Sequence, residues 1–170
     1  MVSALAFLAG CTSGQGGQAQ PVSTPQDAPA SSEITASPQG LHGLKACAVL
    51  DKALQGRDFP PGEADNVGSA NGCSASKFGS ATSLNLDDRQ GIDDLDADPA
   101  KAHDGKINGR PIRQVREIDG DEATCLVLLE VTAKVRAMVS VTLGTQGSTE
   151  QACSDAFSIA QAVEPQLPAR

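Results

Sequence analysis

Residues 12–40 contain almost no large apolar side chains, and this confines the folded part of the chain to the residues after them. The segment consists mainly of Gly, Ser, Thr, Gln, Pro and Ala, with Val22 and Ile34 as its large aliphatic residues. Such a composition cannot bury enough apolar surface to offset the entropy lost on ordering. We therefore expect a disordered tether over residues 11–40 and one globular domain of about 130 residues over 41–170.

Cys11 ends the sequence Leu8-Ala9-Gly10-Cys11, which follows a short apolar segment. This pattern resembles the lipobox of bacterial lipoproteins, in which a signal peptide, here residues 1–10, is removed. The resemblance implies that Cys11 receives a diacylglyceryl group and fatty acyl chains such as palmitate, which anchor the protein to the outer face of the cell membrane. The apolar segment is shorter than the roughly 20 residues that cross a bilayer, so it predicts a processed signal. Because residues 1–10 contain no Lys or Arg, we expect the natural start site upstream of Met1.

The net charge of −8 and the scarcity of aromatic residues narrow the function classes. An acidic surface repels phosphate backbones and anionic headgroups, so we predict no nucleic-acid partner and a membrane contact made through the lipid. The chain has no Trp or Tyr, and after residue 40 its aromatic residues are Phe59, Phe78 and Phe157. We expect a core of Val, Leu, Ile and Ala, and no recognition of sugars by ring stacking.

Four cysteines lie beyond the tether: Cys47, Cys73, Cys125 and Cys153. An even count in an exported domain predicts two disulfides, for which three pairings exist. We favour Cys47–Cys73 and Cys125–Cys153, because each would join a predicted helix to a predicted strand nearby in sequence. The spacing contains no C-x-x-C, so a zinc site and a redox role are disfavoured.

Hydrophobic periodicity predicts two helices and about five strands. The first helix is expected over Leu44–Leu54, and the second begins after the capping-box sequence Ser148-Thr149-Glu150-Gln151 and ends at Pro165. The strands are expected in Gly72–Leu86 (one or two), Gly109–Ile118, Thr124–Val131 and Ala137–Leu143. Consecutive strands favour an antiparallel sheet with both helices packed on one side, which is an α+β fold.

The connections carry their own signals. Residues 87–106 are acidic and contain Gly and Pro, so we expect a loop there, with a helical turn near Pro99–His103. Asp119-Gly120 predicts a hairpin turn, and Lys134–Arg136 is expected to reverse the chain.

Several short sequences surround the cysteines: Cys47-Ala48-Val49-Leu50 in a short helix, Gly72-Cys73 at a strand entry, Cys125 in a strand, and Cys153-x-x-Ala156 followed by Leu167-Pro168. Together they resemble a family of actinobacterial lipoproteins catalogued as domain of unknown function 3558. The resemblance covers about residues 40–168. It implies a lipid-anchored protein of the cell envelope and transfers no catalytic residues.

The acidic run contains Asp94-x-Asp96-x-Asp98, which matches the first half of an EF-hand loop. Pro99 and Gly105 stand where the second half requires Gly and Glu. We therefore predict a solvated acidic loop over 87–104 and no metal site, with calcium binding of another geometry as the alternative. The spacing of Arg110, Arg113 and Arg116 on a strand puts the first and last on one face, and we expect a solvated edge that balances the acidic loop.

No catalytic residues are predicted. His42 and His103 are the two histidines, one at the end of the tether and one in the acidic loop, and no nucleophile or metalloprotease motif accompanies them. We expect a non-enzymatic binding or accessory module, monomeric and without cofactor, that takes an envelope protein or a small ligand. The alternative is an envelope-acting hydrolase or transferase without a recognisable motif.

Overall fold

One antiparallel sheet of seven strands organises residues 40–170, which are the residues that the structure, a computed structural model, describes. The strands are β1 (Glu63–Asp65), β2 (Gly72–Lys77), β3 (Ser80–Asp87), β4 (Ala102–Ile107), β5 (Arg110–Arg116), β6 (Thr124–Thr132) and β7 (Val135–Leu143). Their spatial order is β1-β2-β3-β7-β6-β5-β4, so β1 and β4 form the two edges. The predicted signal peptide, Cys11 and nearly all of the tether lie outside the described residues.

Two helices pack on one face of this sheet. Helix α1 spans Ala46–Ala53 and helix α2 spans Thr149–Val163. The Ser148 hydroxyl accepts a hydrogen bond from the Gln151 N–H at 3.2 Å, which satisfies one of the unpaired donors at the start of α2. A single 3₁₀ turn at Glu164–Gln166 follows α2, since Pro165 cannot continue the ladder of helical hydrogen bonds.

The main core fills the space between the helices and the sheet. Its fully buried side chains are small or aliphatic, as the composition predicted: Leu50, Leu84, Val127, Leu129, Val139, Val141 and Val163 among them. Phe78 is fully exposed at the turn between β2 and β3, while Phe59 and Phe157 are partly buried against the core. Aromatic rings therefore contribute little to the centre of this core.

Two disulfides tie the helices to the sheet. Cys47 of α1 is bonded to Cys73 of β2, and Cys125 of β6 is bonded to Cys153 of α2, with Cα–Cα distances of 5.0 and 4.9 Å. This is the pairing that the sequence analysis favoured. Each bond joins a helix to a strand on the same face of the sheet, so both helices are fixed covalently over the main core.

The antiparallel sheet and the helices near both ends of the domain agree with prediction, but the count of about five strands was wrong. The additional strands are the two edges, β1 and β4. The predicted helical turn near Pro99–His103 is confirmed only in part: residues 99–101 form one turn, in which the Lys101 N–H donates to the Asp98 carbonyl at 2.9 Å, but β4 already begins at Ala102. The predicted reversal at Lys134–Arg136 is shorter than expected, since β7 already begins at Val135.

The described chain enters the fold beside the end of β3. The Leu41 N–H donates to the Asp88 carboxylate at 2.8 Å, just after the last residue of that strand. The turn that contains Phe78 lies at the opposite end of β3. Within residues 40–170, neither helix has the length and apolarity that a membrane span requires.

Candidate functional site

The second face of the sheet, opposite the helices, is partly covered by the acidic segment, here residues 91–101. Ile92 of this segment is buried against a small second core on that face, with Val115, Leu128 and Met138. Leu95 and Ala97 pack against the same cluster. The segment therefore covers the outer sheet face with its apolar side chains, whereas its carboxylates are exposed, so the prediction of a solvated loop holds for the charged residues alone.

Three basic side chains hold the cover in place. Arg113 on β5 pairs with Asp93 and donates to the Ile92 carbonyl, at 3.1 and 3.2 Å. Lys134 pairs with Asp94 at 2.7 Å. The buried Arg136 on β7 donates to the Gly91 carbonyl at 3.0 Å. Of the carboxylates that matched half of an EF-hand motif, Asp94 is thus occupied by its ion pair with Lys134.

Gly91 allows the segment to approach the sheet closely. A Cβ atom at this position would clash with the Ala133 carbonyl oxygen. Only a residue without a side chain can lie here unless the backbone moves. The close approach places the rest of the cover over β5 and β6.

Hydrogen bonds also set the charge state of Asp94 in the cover and of Asp104 on the neighbouring strand β4. Hydrogen bonds from Lys134 and from the Gly91 N–H lower the pKa of the Asp94 carboxyl below its ordinary value. The hydrogen bond from Arg113 lowers the pKa of Asp104 in the same way, and it raises the pKa of Arg113. Both carboxylates are therefore ionised at neutral pH, which keeps the ion pairs intact.

A cleft of about 280 Å³ opens between the cover and the sheet. Its apolar lining consists of Leu95, Ala97, Val115, Ile118 and Leu126. A neighbouring hollow of about 340 Å³ shares Leu95 and Ala97 and extends to Ala102 and Arg113. Apolar and charged residues line the cleft in equal number, and its volume lies just below the usual range of ligand sites.

The rim of the cleft is acidic. Asp96 and Asp98 line it and are exposed, and neither forms an ion pair with another residue of the described part of the chain. Lys101 and Glu117 also line the cleft but neutralise each other at 3.1 Å, and Arg116, a further lining residue, is paired with Glu150 at 3.7 Å. The rim consequently presents two uncompensated negative charges above an apolar floor.

The arginines of β5 divide between the two faces as the strand spacing predicted, but the expectation of a solvated edge was wrong. Arg110 is 3% exposed and pairs with Glu164 at 3.1 Å on the helix side. Arg116 points to the same side, toward Glu150 at 3.7 Å. Arg113 alone serves the acidic segment, and β5 is an interior strand.

Glu164 links the C-terminal end of the domain to β5. The hydrogen bond from Asn108, followed by the one from Arg110, lowers the pKa of the Glu164 carboxyl below its ordinary value. Arg110 also donates to the carbonyls of Glu130 and Pro168, both at 2.8 Å. This cluster is a structural one, since its charged groups are used in holding the chain together.

The other residues considered in the sequence analysis either do not line the cleft or lie outside residues 40–170. His42 and His103 are exposed, and neither is hydrogen-bonded to a hydroxyl or carboxylate of residues 40–170. Among the same residues, no group of three or more His, Cys, Asp or Glu side chains is placed to hold a metal ion. Cys11, the predicted lipidation site, lies in the part of the chain that the structure does not describe.

Sequence reasoning missed the cleft residues and the second core beside them. Their signal was present, since Ile92, Leu95 and Ala97 interrupt the acidic run, and Leu126 and Leu128 alternate along β6 with the residues that face the main core. A nearly continuous apolar strand flanked by an acidic segment with spaced apolar residues predicts burial on both faces of the sheet.

A comparison with known protein families gives one match. The family model described as "Protein of unknown function (DUF3558)" matches residues 6–166. The match extends over most of the chain, and the chain belongs to this family. Neither the search of curated proteins nor the search of solved structures found a match.

Proposed function

We propose that this chain is a lipid-anchored protein on the outer face of the cell membrane, and that its cleft binds a small ligand with an apolar body and a cationic group. The observation that carries the binding role is the cleft itself: five apolar side chains form a floor beneath the uncompensated carboxylates of Asp96 and Asp98. An apolar floor favours a hydrocarbon or ring, and the acidic rim favours a positive charge beside it.

The location rests on the resemblance of Leu8-Ala9-Gly10-Cys11 to a lipobox and of the cysteine framework to actinobacterial lipoproteins. Two disulfides in the domain are in keeping with an oxidising compartment. A chain of about 30 residues between Cys11 and the fold gives a reach of roughly 30 Å if it is flexible. The domain would then work close to the membrane without touching it.

Mass spectrometry of the protein extracted from membranes tests the location. We expect the mature chain to begin at Cys11 with a diacylglyceryl group on the thiol, and a Cys11→Ser variant to be recovered unlipidated. A wild-type chain that is exported with a free Cys11 thiol would disprove the lipid anchor, although it would leave the cleft unaffected.

Binding is tested with two probes of equal chain length and opposite charge, hexylamine and hexanoate. In ¹⁵N–¹H NMR titrations we expect hexylamine to shift the amide signals of Val115, Ile118 and Leu126, and hexanoate to act much more weakly. The variant Asp96→Asn/Asp98→Asn should bind hexylamine roughly twofold to thirtyfold more weakly, because exposed charge pairs contribute about 0.2–1 kcal/mol each.

Asp58→Asn supplies the matched control, since Asp58 is an exposed carboxylate that lines a different hollow of the surface. Its affinity for hexylamine should equal that of the parent. Equal shifts with both probes, or an equal loss of affinity in the control variant, would show that the cleft does not select a cation.

A further inference from the structure

Strand β4 leaves one of its sides without a neighbouring strand within residues 40–170. The Arg116 N–H donates to the Lys101 carbonyl at 3.0 Å, so these residues extend the register of β4 and β5 as a hydrogen-bonded pair. Hydrogen-bonded and non-hydrogen-bonded pairs alternate along an antiparallel ladder. The backbone N–H and C=O groups of Ala102, Asp104 and Lys106 therefore point away from β5, toward the open side.

Pro111 supports this assignment. It lies opposite Lys106 in the β4–β5 register and has no N–H group, which a non-hydrogen-bonded pair does not need. The open side is also accessible, because residues 103–106 are all exposed. Strand β4 thus offers a six-residue edge to an extended chain, whereas β1 at the other edge has three residues.

We propose that β4 pairs with β4 of a second copy of this chain, antiparallel and about a two-fold axis at Gly105. In that register Asp104 lies opposite Lys106 of the partner subunit, and the symmetry repeats the pair on the other side of the axis. All four residues have outward-pointing backbone groups, so each pair exchanges both of its N–H···O bonds. Opposite charges also face each other across the strands, which stabilises the pairing.

The charges of Asp104 and Lys106 favour this register over the registers shifted by one residue. An axis at Asp104 would place two carboxylates opposite each other, and an axis at Lys106 would do the same with two ammonium groups. Like charges directly opposite are destabilising. Lys106 forms no ion pair within the described residues, so its charge is free for the partner. Asp104 accepts two hydrogen bonds from Arg113, one on each oxygen, and each oxygen keeps a second lone pair.

The absence of a side chain at Gly105 also suits the centre of the contact. Across the axis, Gly105 forms a non-hydrogen-bonded pair with its own copy, in which the backbones approach to about 4.5 Å between Cα atoms. A contact of one strand per subunit is smaller than a standard protein interface and is weak. The dilute protein stays the monomer that the sequence predicts, and pairing becomes appreciable at high local concentration. This inference does not depend on the proposed ligand or lipid anchor.

Sedimentation equilibrium of the full chain carrying Cys11→Ser tests the pairing, since that change removes both lipidation and an intermolecular disulfide at this position. Over concentrations up to about 1 mM, which is the range of weak association, we expect the average mass to rise from the monomer toward the dimer. Lys106→Glu places two carboxylates opposite each other in both pairs and should raise the dissociation constant at least tenfold.

Two further variants separate charge from backbone pairing. Lys106→Pro removes an outward N–H without removing a hydrogen bond between β4 and β5, and it should abolish association. Asp104→Lys should also fail to associate by itself, yet an equimolar mixture with Lys106→Glu should form a heterodimer, because opposite charges then meet at both pairs.

Lys52→Glu is the control for net charge, as Lys52 is exposed on α1, far from β4 in the order of the elements. Association of this variant should match that of the parent. The proposal is overturned if the parent remains monomeric up to about 1 mM, if Lys106→Glu associates as the parent does, or if Lys52→Glu weakens association to the same degree.

Discussion

Replacement of Arg110 by Met is expected to lower the free energy of unfolding by about 3–5 kcal/mol, the range for breaking a buried ion pair. The guanidinium is 3% exposed, and its removal leaves the Glu164 carboxylate without its cation. It also leaves the carbonyls of Glu130 and Pro168 without their donor. Urea unfolding followed by circular dichroism measures the change.

Two further variants test whether the loss of stability comes from the buried ion pair. Arg89→Met removes an exposed arginine whose side chain has no ion pair among the described residues, and should change the stability by less than about 0.5 kcal/mol. The double variant Arg110→Met/Glu164→Leu should regain much of the loss, because no buried charge is then left alone. Equal midpoints for Arg110→Met and Arg89→Met would show that the cluster contributes nothing.

Removal of the Cys125–Cys153 disulfide is expected to lower the free energy of unfolding by about 3.5 kcal/mol in the chain-entropy treatment. The bond closes a loop with a sequence separation of 28, and the Cys47–Cys73 bond one of 26. Because the separations are nearly equal, the variants Cys125→Ala/Cys153→Ala and Cys47→Ala/Cys73→Ala should lose similar amounts. The measurement is urea unfolding without reductant, beside the unmodified chain.

Peptide mapping checks the covalent premise. The folded parent should yield only the Cys47–Cys73 and Cys125–Cys153 pairs. Free thiols at these positions in folded, exported protein would contradict it, as would a loss below about 1 kcal/mol for both variants.

The interior of this fold was readable from the sequence because burial leaves a pattern there. β6 and β7 carry apolar residues along most of their length, and α2 shows both an N-terminal cap and an apolar stripe. The cysteine pairing followed from the proximity of each helix to a strand. Each of these elements buries apolar side chains on one or both of its faces, and hydrophobic periodicity in the sequence reports this burial.

The two edge strands could not be predicted, because they lack such a burial pattern. β4 has the sequence Ala-His-Asp-Gly-Lys-Ile, in which only the last residue is buried, so nothing alternates. β1 is three residues long and has no buried residue. Both are strands because a neighbour supplies hydrogen bonds to their backbones, a tertiary effect that overrides local propensity.

The candidate site could not be predicted from the sequence, because the acidic composition of residues 91–101 masked their apolar side chains. The acidic segment was predicted to be solvated, because the fraction of Asp residues outweighed the spaced apolar ones. The decisive information is the placement of Arg113, Lys134 and Arg136, which lie on β5, in the β6–β7 turn and on β7. Only their convergence in space shows that the carboxylates are anchors and that Ile92 is buried beneath them.

The position of the first disulfide has a mechanical consequence. The described chain begins at Gly40, and Cys47 comes soon after in the first turn of α1, where it is joined to Cys73 in the sheet. A load applied upstream of Gly40 is borne first by the buried Leu41 and Ala46, and it then reaches the covalent bond at Cys47 before it reaches the rest of α1. Fraying that starts from the N-terminal side consequently stops at Cys47. A pulling force on this side is transmitted through the disulfide to Cys73 in β2.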